Sequence, residues 1–254
     1  MKLPASSEPS TEFKNAIGSD VPQDFAIEAR KKPSSIHEMA ETPTELSMLQ
    51  KEALARQYVI IVDKSGSMAF PDGFMGTRWK SVEKGVVQMV DKIFEYDIDH
   101  SVPLFLFDSV TTFVGECTDS SQVTSVFKEF HPGNTTNLSD ALSKALEKYA
   151  GKKRVNFEVV PGTTIIVLLD GGADDPDEVK TVIAKYADPA NGFVDNHEQL
   201  AISFIQIGDD VGATTFLKDL DDNMKPLDIV DTIKDDDLFK IGGVDKMLYN
   251  AIFD

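Results

Sequence analysis

The chain is short of cysteine, histidine, basic residues and long apolar runs. Cys117 is the one cysteine among 254 residues, which excludes an internal disulfide and a zinc site built from thiolates. The four histidines, His37, His100, His131 and His197, are scattered, with no two at metal-ligand spacing. Lysine and arginine total 25 against 43 aspartates and glutamates, a formal charge of −18. So acidic a chain is unsuited to nucleic acid or anionic membranes, both of which are held through basic residues. Cations are the ligands it suits. No apolar stretch approaches the roughly 20 residues that span a bilayer, and residues 1–10 hold no apolar run of the kind a secretory signal needs. The expectation is a soluble protein of a reducing, cytoplasmic compartment, although a chain trimmed of its signal would read the same.

What is present divides the chain. Residues 1–41 are rich in serine and proline and thin in hydrophobics, and read as a flexible tail. Within it, Arg30-Lys31-Lys32 is too short a basic run to stand out from a solvated turn. Residues 42–56 read as a helix, with Thr42 as N-cap, Pro43 at the first helical position and Glu45 reaching back as a capping box. Leu46, Leu49, Ala53 and Leu54 would form its apolar face. From residue 57 onwards strands alternate with helices, giving one domain over 57–254.

Residues 58–62, 163–169 and 201–207 are short β-branched runs of the kind a strand buried on both faces shows. Residues 78–96 have helical period, with Trp79, Val82, Val86, Met89, Val90 and Ile93 on one side. Residues 102–107 and 111–114 read as a strand pair reversing near Asp108-Ser109. Further helices are expected over 123–130, 138–149, 176–186, 211–220 and 244–252, with a short strand over 229–232. This order predicts an α/β fold: a doubly wound, mainly parallel sheet with one antiparallel edge strand and helices on both faces.

In such sheets ligands sit beyond the carboxyl ends of the strands. There the chain places Asp63-Lys64-Ser65-Gly66-Ser67 after its first strand, Gly133-Asn134-Thr135-Thr136-Asn137 before a helix, and Asp170-Gly171-Gly172 after a central strand. Two carboxylates and three hydroxyls form a hard, all-oxygen donor set. It suits Mg²⁺, Mn²⁺ or Ca²⁺ and not zinc or copper. So few protein ligands also leave coordination positions open.

These residues resemble the metal-ion-dependent adhesion site of von Willebrand factor type A (VWA) domains. Asp63, Ser65, Ser67, Thr136 and Asp170 match its five positions, and the likeness runs over residues 57–254. It implies a Rossmann-like fold, hydroxyl contacts to one divalent cation (Mg²⁺ first, Ca²⁺ or Mn²⁺ as alternatives), and a partner protein that completes the metal shell with a Glu or Asp. The loop of residues 69–77 and the stretch of residues 204–222 look like intracellular and bacterial-type members, such as tellurite-resistance-associated domains and, more distantly, copines. Two positions depart from the family. Leu169 stands where Thr or Ser often precedes the aspartate. Thr135 adjoins Thr136, so the threonine ligand is open to a shift of one; Thr136-Asn137-Leu138 fits the usual run into the helix better.

Other acidic segments have plainer readings. Asp174, Asp175, Asp177 and Glu178 suit the positive end of a helix. The run from Asp219 fails as a calcium loop, because Met224 stands where glycine is needed and Val230 where the bidentate acid should be. Asp235-Asp236-Asp237 reads as a solvated turn. The resulting expectation is a monomeric, metal-dependent protein-binding module and not an enzyme, with Phe70, Phe74 and Met75 either an apolar rim or folded back as core. The alternatives are a metal-dependent hydrolase, which lacks a placed histidine or glutamate base, and a calcium-responsive adaptor.

Overall fold

In the computed structural model, residues 45–72, 76–156 and 162–253 are described. The tail of residues 1–41, the Thr42 cap with Pro43, and the rim candidates Phe74 and Met75 lie outside them. The first described helix, α1, spans Met48–Ala53 and not residues 42–56. Ser47 caps it and Gln50 closes a reciprocal capping box, a pair that satisfies two backbone donors from five residues further along than Thr42 and Glu45. The shift turns Leu49 outward, 78% exposed, while Leu46 and Leu54 stay buried.

Six strands form one sheet. They are β1 (Gln57–Asp63), β2 (Val102–Phe107), β3 (Thr111–Cys117), β4 (Thr163–Leu169), β5 (Leu200–Gln206) and β6 (Val230–Lys234), in the order β3-β2-β1-β4-β5-β6. Every pairing is parallel except β2 with β3. All seven residues of each of β1, β4 and β5 are buried, as the continuous apolar runs require. Alternate β1 side chains feed opposite layers. Tyr58, Ile60 and Val62 face a core shared with α2 (Arg78–Ile93), α3 (Ser120–Glu129) and α8 (Val244–Phe253). Val59 and Ile61 face α4 (Leu138–Asn156), α5 (Pro176–Ala187) and α6 (Val211–Asn223). The six apolar residues picked out on α2 are its buried residues. Trp79 packs its ring 4.4 Å from Phe127 of α3 and donates to the Phe127 carbonyl at 3.3 Å. A short α7 (Leu238–Ile241) precedes α8.

The β2–β3 edge is irregular. Its register shifts between Leu104 and Phe105, opposite Gly115 with φ +147°, a backbone conformation open to glycine. On this outer strand Phe113 is exposed beneath the Lys148 ammonium, which also pairs with Glu116.

The strand order reverses between β1 and β4. A doubly wound sheet opens its crevice at that point, between the carboxyl ends where Asp63 and Asp170 lie.

Candidate metal centre

Asp63 is the last residue of β1 and is fully buried. Its Oδ1 accepts the Ser65 N–H at 2.6 Å, closing a turn that leads into the single 3₁₀ turn Gly66–Ala69. That turn folds Ser67 back beside Ser65, with their Oγ atoms 3.0 Å apart. Ser67 Oγ donates to Asp170 Oδ1 at 2.7 Å. Four of the five expected residues, Asp63, Ser65, Ser67 and Asp170, are thus joined in one continuous polar chain across β1 and β4.

Thr136 is approached differently. Its carbonyl accepts the Asp174 N–H and its N–H donates to Asp174 Oδ2, both at 3.0 Å. Among the described residues its hydroxyl makes no hydrogen bond to the other four. Thr136 is half-buried and Thr135 exposed. The loop is nevertheless fastened to the serine turn: Gly66 N–H donates to the Asn134 carbonyl at 3.1 Å and Gly133 N–H to the Lys64 carbonyl at 2.8 Å. Asn134 sits at φ +61°, a left-handed conformation that asparagine tolerates better than most residues. Its side-chain amide donates to Asp108 Oδ2 at 2.8 Å, and the Lys64 ammonium pairs with the same carboxylate. Asp108 Oδ1 also accepts the Val110 N–H. Burial alone would raise the Asp108 carboxyl; the bonds from Lys64, Asn134 and Val110 outweigh it and hold it below its usual value. This clamp links the ends of β1 and β2 with the Thr136 loop.

Two features of the site were not anticipated from the sequence. Asp63 Oδ2 is buried with no hydrogen-bond partner. Burial pushes the Asp63 carboxyl up to about 7; the Ser65 bonds and the Asp170 backbone N–H oppose the rise, and the negative charge of Asp170 adds to it. A buried carboxylate without a counter-charge is costly, and this one faces two hydroxyls and a second carboxylate. Such hard oxygen donors around an unmet negative charge fit a divalent cation. The second feature is Arg78, the first residue of α2. Its Nη1 donates to Asp170 Oδ2 at 2.7 Å, and the guanidinium lies over the Phe70 ring, 5.9 Å from its centroid. A base at a helix N-terminus opposes the helix dipole; that local misfit was the signal in the sequence that it answers a carboxylate elsewhere. Of the rim candidates, Phe70 is 58% exposed.

Of the remaining acidic segments, Asp174 departs from the helix-end reading by accepting the Thr136 N–H, and Asp235 and Asp237 are half-buried and not a fully solvated turn. Asp175 caps α5, accepting the Glu178 N–H at 3.1 Å. Asp219 to Asn223 lie in α6, and Asp235–Asp237 form a 3₁₀ turn. Among the described residues no group of three or more His, Cys, Asp or Glu side chains is placed to hold a metal, so the donor set at the crest depends on its hydroxyls. No described helix is long and apolar enough to cross a membrane.

A scan against protein-family models finds no match, and a search of curated proteins finds none. Among solved structures, the VWA domain of SpRpn10 superposes with a TM-score of 0.52 at 14% identity, over 71% of this chain and 87% of that one. The manganese-loaded TRAP protein of Plasmodium vivax gives 0.49 at 18% identity, over 74% and 72%. BatB from Bacteroides thetaiotaomicron gives 0.44 at 18%, over 60% and 67%. With the SpRpn10 domain and the strand order above, the architecture is that of a VWA fold.

Proposed function

We propose that this VWA-fold chain is a protein-binding module that captures an acidic side chain of a partner through one divalent cation, Mg²⁺ before Mn²⁺ or Ca²⁺. Asp63, Ser65, Ser67 and Thr136 would hold the ion, with Asp170 supporting through Ser67. The bound cation would supply an open coordination position for a carboxylate oxygen. The observation that carries this reading is the orphaned Asp63 Oδ2, buried at the strand-order reversal beside Ser65 and Ser67. Affinity would come from the metal–carboxylate bond and selectivity from the surrounding surface, to which the exposed Phe70 contributes an apolar contact. The likeness to intracellular and bacterial-type VWA proteins belongs to the same proposal, as do a cytoplasmic location and a monomeric state. We favour binding over hydrolysis because Asp63, whose raised carboxyl would be the candidate base, has no exposed surface from which to reach a substrate.

The test is calorimetric titration of chelator-stripped protein with Mg²⁺, Mn²⁺ and Ca²⁺, with Asp63→Ala as control. One site that disappears in the variant is expected. Unchanged uptake by the variant would place the ion elsewhere and sink the assignment.

A further inference from the structure

Arg78 introduces a charge that the five-residue donor set does not need. Its guanidinium occupies Asp170 Oδ2 while Ser67 occupies Oδ1, so both oxygens of that carboxylate are engaged. The side chain is held from several directions. Phe70 lies beneath it, and it rests against Gly208 (φ +72°), where a Cβ would stand 3.4 Å from Nη2. The Asp170 side chain is fully buried, whereas Arg78 keeps about a fifth of its surface in solvent. The arginine therefore forms part of the crest that an incoming group would meet.

From this placement we infer that Arg78 is a resident cation that makes metal retention depend on an incoming carboxylate. The inference deepens the reading above and rests on it. With an ion bound and Asp63 deprotonated, Asp63 and Asp170 would carry two negative charges, which a divalent ion would cancel. With Arg78 in place the same ion leaves the centre one charge positive, and a partner's Glu or Asp then brings it to neutrality. The arginine thus weakens the empty-handed metal complex and strengthens capture of the carboxylate. Both effects come from one fixed charge near both ligands, so they have opposite signs whatever other charges surround the site.

The experiment compares wild type, Arg78→Gln and Arg78→Lys, all as full chains, in chelator-stripped form. Mn²⁺ affinity is measured by calorimetry and by the spin-resonance signal of the free ion, in chloride and in acetate at equal ionic strength. Removing the charge is expected to tighten Mn²⁺ binding in chloride by about tenfold or more, and to shrink the enhancement that acetate gives the wild type. Arg78→Lys keeps the charge and should stay close to wild type on both readouts, which a loss of packing would not allow. Unchanged or weaker Mn²⁺ binding by Arg78→Gln overturns the inference, as does an acetate enhancement that is no smaller than in wild type. Mn²⁺ uptake by Arg78→Gln alone would support it in its strongest form. Uptake by none of the three proteins would instead remove the metal reading, and the inference with it.

Discussion

Replacing Asp63 by Asn would separate the cost of the site from its use. The two side chains have nearly the same shape. The asparagine oxygen can still accept the Ser65 N–H now received at 2.6 Å, so the turn into the serines should persist. What disappears is a buried negative charge whose second oxygen is unpartnered. The carboxyl stands at about 7 in the folded chain against an ordinary 3.8. At about 1.4 kcal/mol per pH unit that rise corresponds to roughly 4 kcal/mol. Relaxation around the charge and entry of water reduce what a substitution recovers, so a gain of about 1–3 kcal/mol is expected for the metal-free protein above pH 7. A raised carboxyl means that the folded state binds more protons than the unfolded one between about 4 and 7, so stability falls as pH rises through that window. The advantage of Asp63→Asn should therefore be full at pH 8, shrink as pH falls, and vanish near pH 4. Urea unfolding with excess chelator at several pH values reads it directly. Addition of Mg²⁺ or Mn²⁺ should reverse the order at neutral pH, stabilising the wild type and leaving the variant unmoved. A variant less stable than wild type at pH 8 in chelator would mean that the carboxylate is already satisfied, and would refute the reasoning from its orphaned oxygen.

Other outcomes test separate parts of the molecule. Thr136→Ala should weaken Mn²⁺ binding more than Thr135→Ala in the same titration; the reverse ranking would shift the threonine by one position. Phe204→Ala, a truncation in the middle of β5, should cost about 3–5 kcal/mol in urea unfolding, and a loss under 1 kcal/mol would contradict its full burial. Cys117 is buried at the end of β3 and its thiol is pushed up by burial, with Asp119 adding to the rise. It should react with a disulfide reagent far more slowly in native protein than in urea, and equal rates would show that this edge opens readily.

The central strands and α2 were legible because burial on both faces forces unbroken β-branched runs, and because a one-sided helix repeats its apolar residues every three to four positions. The crest residues could be found from their positions after strands. Charge pairing between distant segments was harder to read. Arg78 and Asp170 are separated by 92 positions, and the contact depends on how α2 leaves the loop before it. The start of α1 was misread because two capping signals lie close together in the sequence, and their relative strength depends on which leucines the fold can bury. Thr136 illustrates a related limit. Its position in the sequence matches a ligand, yet its backbone is tied to Asp174 and its hydroxyl is not bonded to the other four.

The irregular outer strand has a bearing on solubility. A flat, regular β3 would offer a free row of backbone donors and acceptors to any extended chain in a crowded cell. The register shift opposite Gly115 twists that row out of line, and the Lys148–Glu116 pair sets charge over the exposed Phe113 ring. Natural sheets guard against edge-to-edge aggregation by such means. Straightening the bulge or neutralising Lys148 would weaken that guard, so the edge can be expected to govern how concentrated the protein may become before it assembles into β-rich aggregates.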